Sequence, residues 1–317
     1  MRRKTSRFRN RRNDRQIQLQ VRSSRIVGFE ILRGFKRFAK FAVVLALLGA
    51  AIWGGREGFD HFFIENPEFQ LREIDLQTNG CLTAQSFAEI TGLDPEASIF
   101  AVSLREMSKK LRERPGIVSV KMSRRLPGTL KVEVEERIPV AWIECRRLGI
   151  IGRDPLTGVM VDSDGNCFPC EKWWEKSAAD LPMVTVLKAH ERDFAIGREL
   201  RHREAERGLA LLQRSQRYLG GSSLSIPVVV VKNGYSLVAI MSDGSEVTFG
   251  MYDHDRQLED FLLILDRARE TDRSIVTVNL IPERNLPAMV RDGVEPATKE
   301  LSPRQLEEMV RQILNRG

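Results

Sequence analysis

The residues best suited to chemistry in this 317-residue chain are thiols and imidazoles at short spacings. Cys167-Phe168-Pro169-Cys170 is a C-x-x-C motif, the spacing used by thiol oxidoreductases. That chemistry needs a thiolate pKa lowered at a helix N-terminus in a βαβ setting. Here the motif follows Val161-Asp162-Ser163-Asp164-Gly165-Asn166, a hairpin-like stretch in a β-rich region. The setting favours a local structural disulfide or plain thiols. Cys81 and Cys145 fall in different expected domains, which argues against a bridge between them. His190, His202 and His254 follow Cys170 at spacings that fit no standard zinc site. Asp253-His254-Asp255 reads as a helix cap with first-turn acids near the helix dipole. There is no Gly-rich phosphate loop and no nucleophile elbow, and the carboxylates are scattered along polar faces. The pattern therefore points to no catalytic residue, metal, cofactor or small-molecule substrate. The enzymatic alternative is a membrane-anchored extracytoplasmic thiol oxidoreductase using Cys167 and Cys170.

The elements that would position such groups begin behind a basic tail. Residues 1–40 hold 14 Lys and Arg against Asp14 and Glu30, a net of +12, whereas the whole chain carries +7. The remaining residues are therefore acidic on balance, at −5. An Arg-rich tail can neutralise nucleic-acid phosphates, but the apolar run behind it favours a membrane. Phe41 to Gly55 is fifteen residues without a charge, about 22 Å of helix against a hydrocarbon core of about 30 Å. Flanking Phe35, Phe38, Trp53, Phe59, Phe62 and Phe63 extend the apolar surface, and Lys36, Lys40 and Arg56 can snorkel to headgroups. The run is continuous rather than amphipathic, against a buried soluble helix. It lacks a small-x-small cleavage site, against a signal peptide. We expect an uncleaved anchor over 38–58, with residues 1–37 cytoplasmic by the positive-inside rule and the bulk of the chain outside. No nucleic-acid partner is expected.

From Asn66 to Ile138 the pattern is β-α-α-β-β. Leu71, Ile74 and Leu76 mark a strand ending at Asn79-Gly80. Thr83 caps a short helix, and Ser103 with Glu106 forms a capping box for a second. Val118, Val120 and Met122 alternate with polar residues in one arm of a hairpin, and Leu130, Val132 and Val134 do so in the other. Pro127-Gly128 supplies the central residues expected of a type II turn. Each arm has one apolar face, and the two helices are its cover.

From 139 to 292 strands dominate, separated by turns at Asn233-Gly234 and Asp243-Gly244 and interrupted by two helices. One helix spans about Glu199 to Tyr218, and the other is capped by Asp253. The last two strands are Ile275–Leu280, expected inside the sheet, and Leu286–Val290, short and Pro-bearing as edge strands often are. The candidate docking strand is thus Leu286, Pro287, Ala288, Met289 and Val290. Residues 293–317 form a linker and an amphipathic helix whose stripe is Leu306, Met309, Val310, Ile313 and Leu314. That stripe packs on its own domain or docks on a partner helix. The fold class is α+β: a single transmembrane helix, a small β-α-α-β-β domain, and a mostly antiparallel β-rich domain with two helices.

The order β-α-α-β-β, with the hairpin wording, resembles a POTRA domain. More broadly the chain resembles the FtsQ/DivIB family of bitopic bacterial cell-division proteins. The resemblance is carried by FQLREIDLQTNG, by IVSVKMSRRLPGTLKVEVEERIPVAWI, by VMVDSDGNCF and LPMV, and by SDGSEVTFG before a helix and a final strand pair. At Asn279-Leu280-Ile281 the chain departs from the family's acidic-Leu-Arg strand. The resemblance implies a non-enzymatic divisome scaffold in the bacterial inner membrane at the septum, with the bitopic proteins FtsB and FtsL as partners. Strand addition at the exposed sheet edge would be the docking mode, with the POTRA sheet edge as a second surface.

Overall fold

The computed structural model describes residues 40–54, 60–64, 66–221, 223–293 and 301–315. It divides into one compact unit up to Glu65 and a larger one from Asn66 to Gly317. In the first unit, residues 40–54 form helix α1, and Asp60–Ile64 form one wide helical turn. No described helix is long and apolar enough to cross a membrane. The basic tail 1–37 and both flanks of the expected 38–58 span lie outside the described residues.

The larger unit opens with a three-stranded sheet under two helices. In chain order these are β1 (Glu73–Thr78), α2 (Ala84–Thr91), α3 (Leu104–Arg112), β2 (Ile117–Arg125) and β3 (Thr129–Glu136). The sheet order is β1-β3-β2, with β1 parallel and β2 antiparallel to β3. The side-chain hydroxyls of Thr83 and Ser103 accept the N–H groups of Ser86 and Glu106, so both helices start where a cap satisfies the first turn. Phe87, Met107 and Leu111 close over Val120, Leu130, Val132 and Val134, all buried.

Two expectations for the hairpin are corrected. Val118 does not share the face of Val120 but is 49% exposed. A β-bulge between Ile117 and Ser119 puts Ile117 into the core in its place. The turn is not type II, because that needs a positive φ at Gly128, and Gly128 has none. Instead the Leu126-Pro127 bond is cis. Gly128 is needed for closeness, since a Cβ there would collide with the carbonyl oxygen of Gln70.

The second layer system is a nine-stranded mixed sheet, mostly antiparallel. Its strands are β4 (Pro139–Glu144), β5 (Val159–Asp162), β6 (Cys167–Pro169), β7 (Met183–Val186), β8 (Val228–Asn233), β9 (Ser236–Ile240), β10 (Glu246–Gly250), β11 (Arg273–Asn279) and β12 (Ala288–Asp292). The order is β12-β11-β10-β9-β8-β7-β4-β5-β6, with parallel pairing at β10/β11, β7/β8 and β4/β7. Besides the short α4 (Glu175–Ala178), the helices are α5 (Arg203–Leu219), α6 (His254–Glu270) and α7 (Pro303–Asn315). Strand β8 explains why both faces are covered. Val229 and Val231 face the core beneath α5 and α6, while Val228 and Val230 face one shared with α7. A continuous apolar run is the signature of a strand buried on both sides.

Helix α5 starts later than its sequence suggests. Leu200 N–H donates to Gly165 O and Arg201 N–H to Asp193 O, which holds the chain extended until the His202 ring caps Ala205 N–H. Asp253 does not cap α6 with its carboxylate. It sits at φ 62, and its Oδ2 accepts Arg256 Nε at 2.8 Å.

A buried carboxylate joins the two sheets. Glu136, the last residue of β3, is 2% exposed. It accepts Thr78 Oγ1 at 2.5 Å, Leu82 N–H at 2.9 Å and Trp173 Nε1 at 2.8 Å. Its backbone exchanges two bonds with the Asn79 side chain, and a Cβ on Gly80 would collide with its carboxyl carbon at 2.5 Å. Trp173 belongs to the second layer system, just after β6. Next in the chain, Arg137 Nη1 donates to Asp162 Oδ2 at 2.8 Å and its Nε to Pro115 O. Asp162 also gathers the N–H groups of Asp164 and Asn166, which is the structural work of the Asp-Ser-Asp-Gly-Asn stretch. We expect Glu136→Ala to lower stability by about 3 kcal/mol, because it strands the buried N–H of Leu82 and the half-buried indole N–H of Trp173. Glu135→Ala, on the exposed side, should change it by less than about 0.5 kcal/mol. Equal shifts in a urea melt of the two variants would refute this account of the junction.

Candidate functional site

Strand β12 is one end of the nine-stranded sheet, and all five of its residues are exposed. Its inner side pairs antiparallel with β11, which is itself flanked by β10. The direction of its backbone groups follows from two bonds just outside the strand. Asn279 N–H donates to Pro287 O, and Gly293 N–H donates to Asp272 O. In an antiparallel pair the N–H and C=O of one residue point the same way, and successive residues alternate. Residues 287, 289, 291 and 293 therefore face β11. Ala288, Val290 and Asp292 turn their backbone groups outward, and no described residue pairs with them there. Leu286 and Pro287, in the expected docking strand, precede β12, and Leu286 leans on the core under α5 and α6. The strand instead continues through Arg291 and Asp292.

The other edges differ. At β6, Cys167 N–H donates to Arg198 O and Gly197 N–H to Cys167 O, so the loop before α5 closes that end. In the three-stranded sheet, Arg112 Nη2 caps Val120 O on β2 at 3.0 Å.

The amphipathic stripe of α7 lies on its own domain. Leu306, Val310 and Ile313 are buried, with Met309 and Leu314 half-buried, in a core shared with Trp142, Phe168, Val230 and Ile240. Arg146 fastens the helix by donating to both the buried Glu144 at 2.9 Å and Glu307 at 2.5 Å. A partner helix would have to displace α7 to reach those residues.

The groups that could do redox chemistry are not arranged for it. Cys81, Cys145, Cys167 and Cys170 are all free thiols. Cys167 lies in the core on one face of the sheet and Cys170 in that on the other. Burial pushes the Cys167 thiol up to about 12 and the Cys170 thiol up to about 11. Both shifts oppose thiolate formation, the reverse of what an exchange catalyst needs. His254 is buried, its ring bonded to Gly250 O, and burial lowers its pKa. His202 spans Lys188 O and Ala205 N–H as a cap. Among the described residues, no three His, Cys, Asp or Glu side chains are grouped to hold a metal. We expect iodoacetamide at pH 8 to modify the half-buried Cys81 first. Cys145, Cys167 and Cys170 should react only in denaturant, as counted by mass spectrometry. Rapid native labelling of Cys167 or Cys170 would contradict this burial.

The comparisons with known proteins agree with this architecture. Residues 69–137, the three-stranded layer, match the POTRA domain, FtsQ-type. Over 214 residues the chain is 27% identical to cell division protein FtsQ of Anaeromyxobacter sp. (strain K), covering 67% of this chain and 66% of that one. It is 21% identical over 211 residues to cell division protein FtsQ of Myxococcus fulvus, covering 67% of this chain and 69% of that one. Cell division protein DivIB of Clostridium tetani is 20% identical over 133 residues, covering 42% of this chain and 45% of that one. The match thus spans just under two thirds of the Anaeromyxobacter protein and less than half of the Clostridium one. With an FtsQ-type POTRA layer and these partial likenesses, the chain is similar to the FtsQ and DivIB cell division proteins.

Proposed function

We propose that this protein is a non-enzymatic scaffold of the bacterial cell-division machinery that binds its partners by adding a strand to β12. The observation that carries the reading is the open edge. Ala288, Val290 and Asp292 turn their N–H and C=O groups outward on a strand whose side chains are exposed on both faces. Met289, 65% exposed, and Val290, 44% exposed, are consecutive and so give an incoming strand one apolar contact on each face of the sheet. Cell division is the role named for the family's matched members. By resemblance the partners are the bitopic division proteins FtsB and FtsL. Residues 38–58 are the single anchor in the inner membrane, with 1–37 in the cytoplasm and the folded unit outside at the septum.

Two experiments test this. Ala288→Pro removes an outward donor and leaves the β11 bonds in place, so affinity capture of division proteins from membranes should be lost. The melting temperature should stay within about 2 °C. Met289→Pro, which deletes an inward donor, should instead lower it. A folded Ala288→Pro variant that captures partners at wild-type level would exclude this edge. For topology, reporters fused after Arg25 and after Asp292 should show cytoplasmic and extracytoplasmic activity respectively. Cytoplasmic activity at both positions would end the single-anchor reading.

A further inference from the structure

The tip of the β2–β3 hairpin is the feature that the docking edge leaves unexplained. It is fixed beside the place where the chain joins the larger unit. Asn66 caps a short turn at Pro67–Phe69. The chain then runs beneath the tip, where Arg72 N–H and Glu73 N–H donate to Gly128 O at 2.8 and 3.3 Å. Only three residues separate Asn66 from Gln70, whose carbonyl lies against Gly128.

The tip combines positive charge with an exposed apolar side chain. Leu126 is 56% exposed, next to exposed Pro127. Arg124 donates to Ile99 O at 2.7 Å and Val102 O at 2.6 Å, neutral acceptors that fix the guanidinium without cancelling its charge. Arg125 and Arg72 are exposed and make no ion pair among the described residues. The acids nearest in the chain are Glu68 and Glu73, so positive charge is in excess. Phe69 and Phe100 stack edge to face at 5.2 Å beneath this end.

Chain length says what meets the tip. The apolar run stops at Gly55, leaving ten residues before Asn66. Five of these, Asp60–Ile64, are helical. At about 1.5 Å for each helical residue and at most about 3.5 Å for each other one, the tether reaches about 25 Å. If residues 38–58 are anchored, a surface on so short a tether meets the bilayer at high effective concentration.

We propose that the hairpin tip, Arg124 to Pro127 with Arg72, is a membrane-surface contact for anionic phospholipid headgroups. It rests on the single-anchor reading above. Guanidinium groups bind phosphate oxygens bidentately, and each basic residue at an anionic surface raises occupancy about fivefold. Leu126 enters the interface between headgroups and acyl chains.

The test uses the full chain in lipid nanodiscs, with a nitroxide on Leu126→Cys in a Cys81→Ser background. The readout is accessibility to oxygen relative to a water-soluble nickel chelate. That ratio should rise severalfold when phosphatidylglycerol replaces part of the phosphatidylcholine. It should fall back to the neutral-disc value in the Arg72→Glu, Arg125→Glu double variant, whose unchanged melting curve excludes misfolding. The same ratio in both discs, or one equal to that of a label on the exposed Tyr235, would overturn the proposal. Resistance of the unlabelled protein to carbonate extraction is measured first. Extraction defeats the anchor reading and the tip contact with it, whereas a retained protein with a fully aqueous label at 126 defeats the tip contact alone.

Discussion

A carboxylate at a 2% exposed position is tolerated only when donors surround it, and Glu136 draws its donors from separate parts of the chain. Thr78 and Leu82 come from the end of β1 and the approach to α2, and Trp173 from beyond β6. Rotating one sheet against the other would strip the indole from the carboxylate and leave the buried Glu136 without that donor. Arg137 and Asp162 repeat the constraint one residue further on, and Arg114 approaches Glu171 at 3.6 Å on the same seam. The chain passes from the POTRA layer into β4 through a clamped corner, not a flexible linker. The orientation of the open β12 edge relative to the hairpin tip is therefore a fixed property of the fold.

What could be read from the residues tracks their periodicity. Leu130, Val132 and Val134 point inward as their alternation requires, and Thr83 and Ser103 cap the helices they precede. Val118 escaped because a bulge inserts a residue without leaving a compositional trace. Glu136 did leave a trace. It is in phase with Leu130, Val132 and Val134, so the alternation places an acid on the core face, but its partner Trp173 lies far along the chain. The last strand was expected two residues too early because Pro287 looks like a strand residue, yet its carbonyl closes the last bond with Asn279 before β12 begins. The C-x-x-C motif shows the converse case. Its spacing suggests cooperation, whereas a strand sends Cys167 and Cys170 to opposite faces.

The division of labour across the large sheet explains how one strand can remain so exposed. Stability comes from the middle, where α5 and α6 cover one face and α7 with the Trp174 segment covers the other. With those faces filled, β12 need contribute little beyond its bonds to β11, and its side chains have no core to serve. The three outward residues are held in extended geometry by β11, so a strand added at this edge would cost them little backbone entropy.

An open strand edge is also a hazard, since identical edges can pair and propagate. The fold limits this by closing the opposite end: the 197–198 backbone occupies β6. A sheet open at both ends could add copies head to tail without limit, whereas one with a single open edge can add only one strand. That added strand can come from a partner or, antiparallel, from the same edge of a second copy. Self-pairing of this kind would place Met289 and Val290 of two copies side by side and bury the outward groups of both. It would compete directly with a partner strand for the same three residues, so occupancy of this edge is exclusive whichever strand fills it.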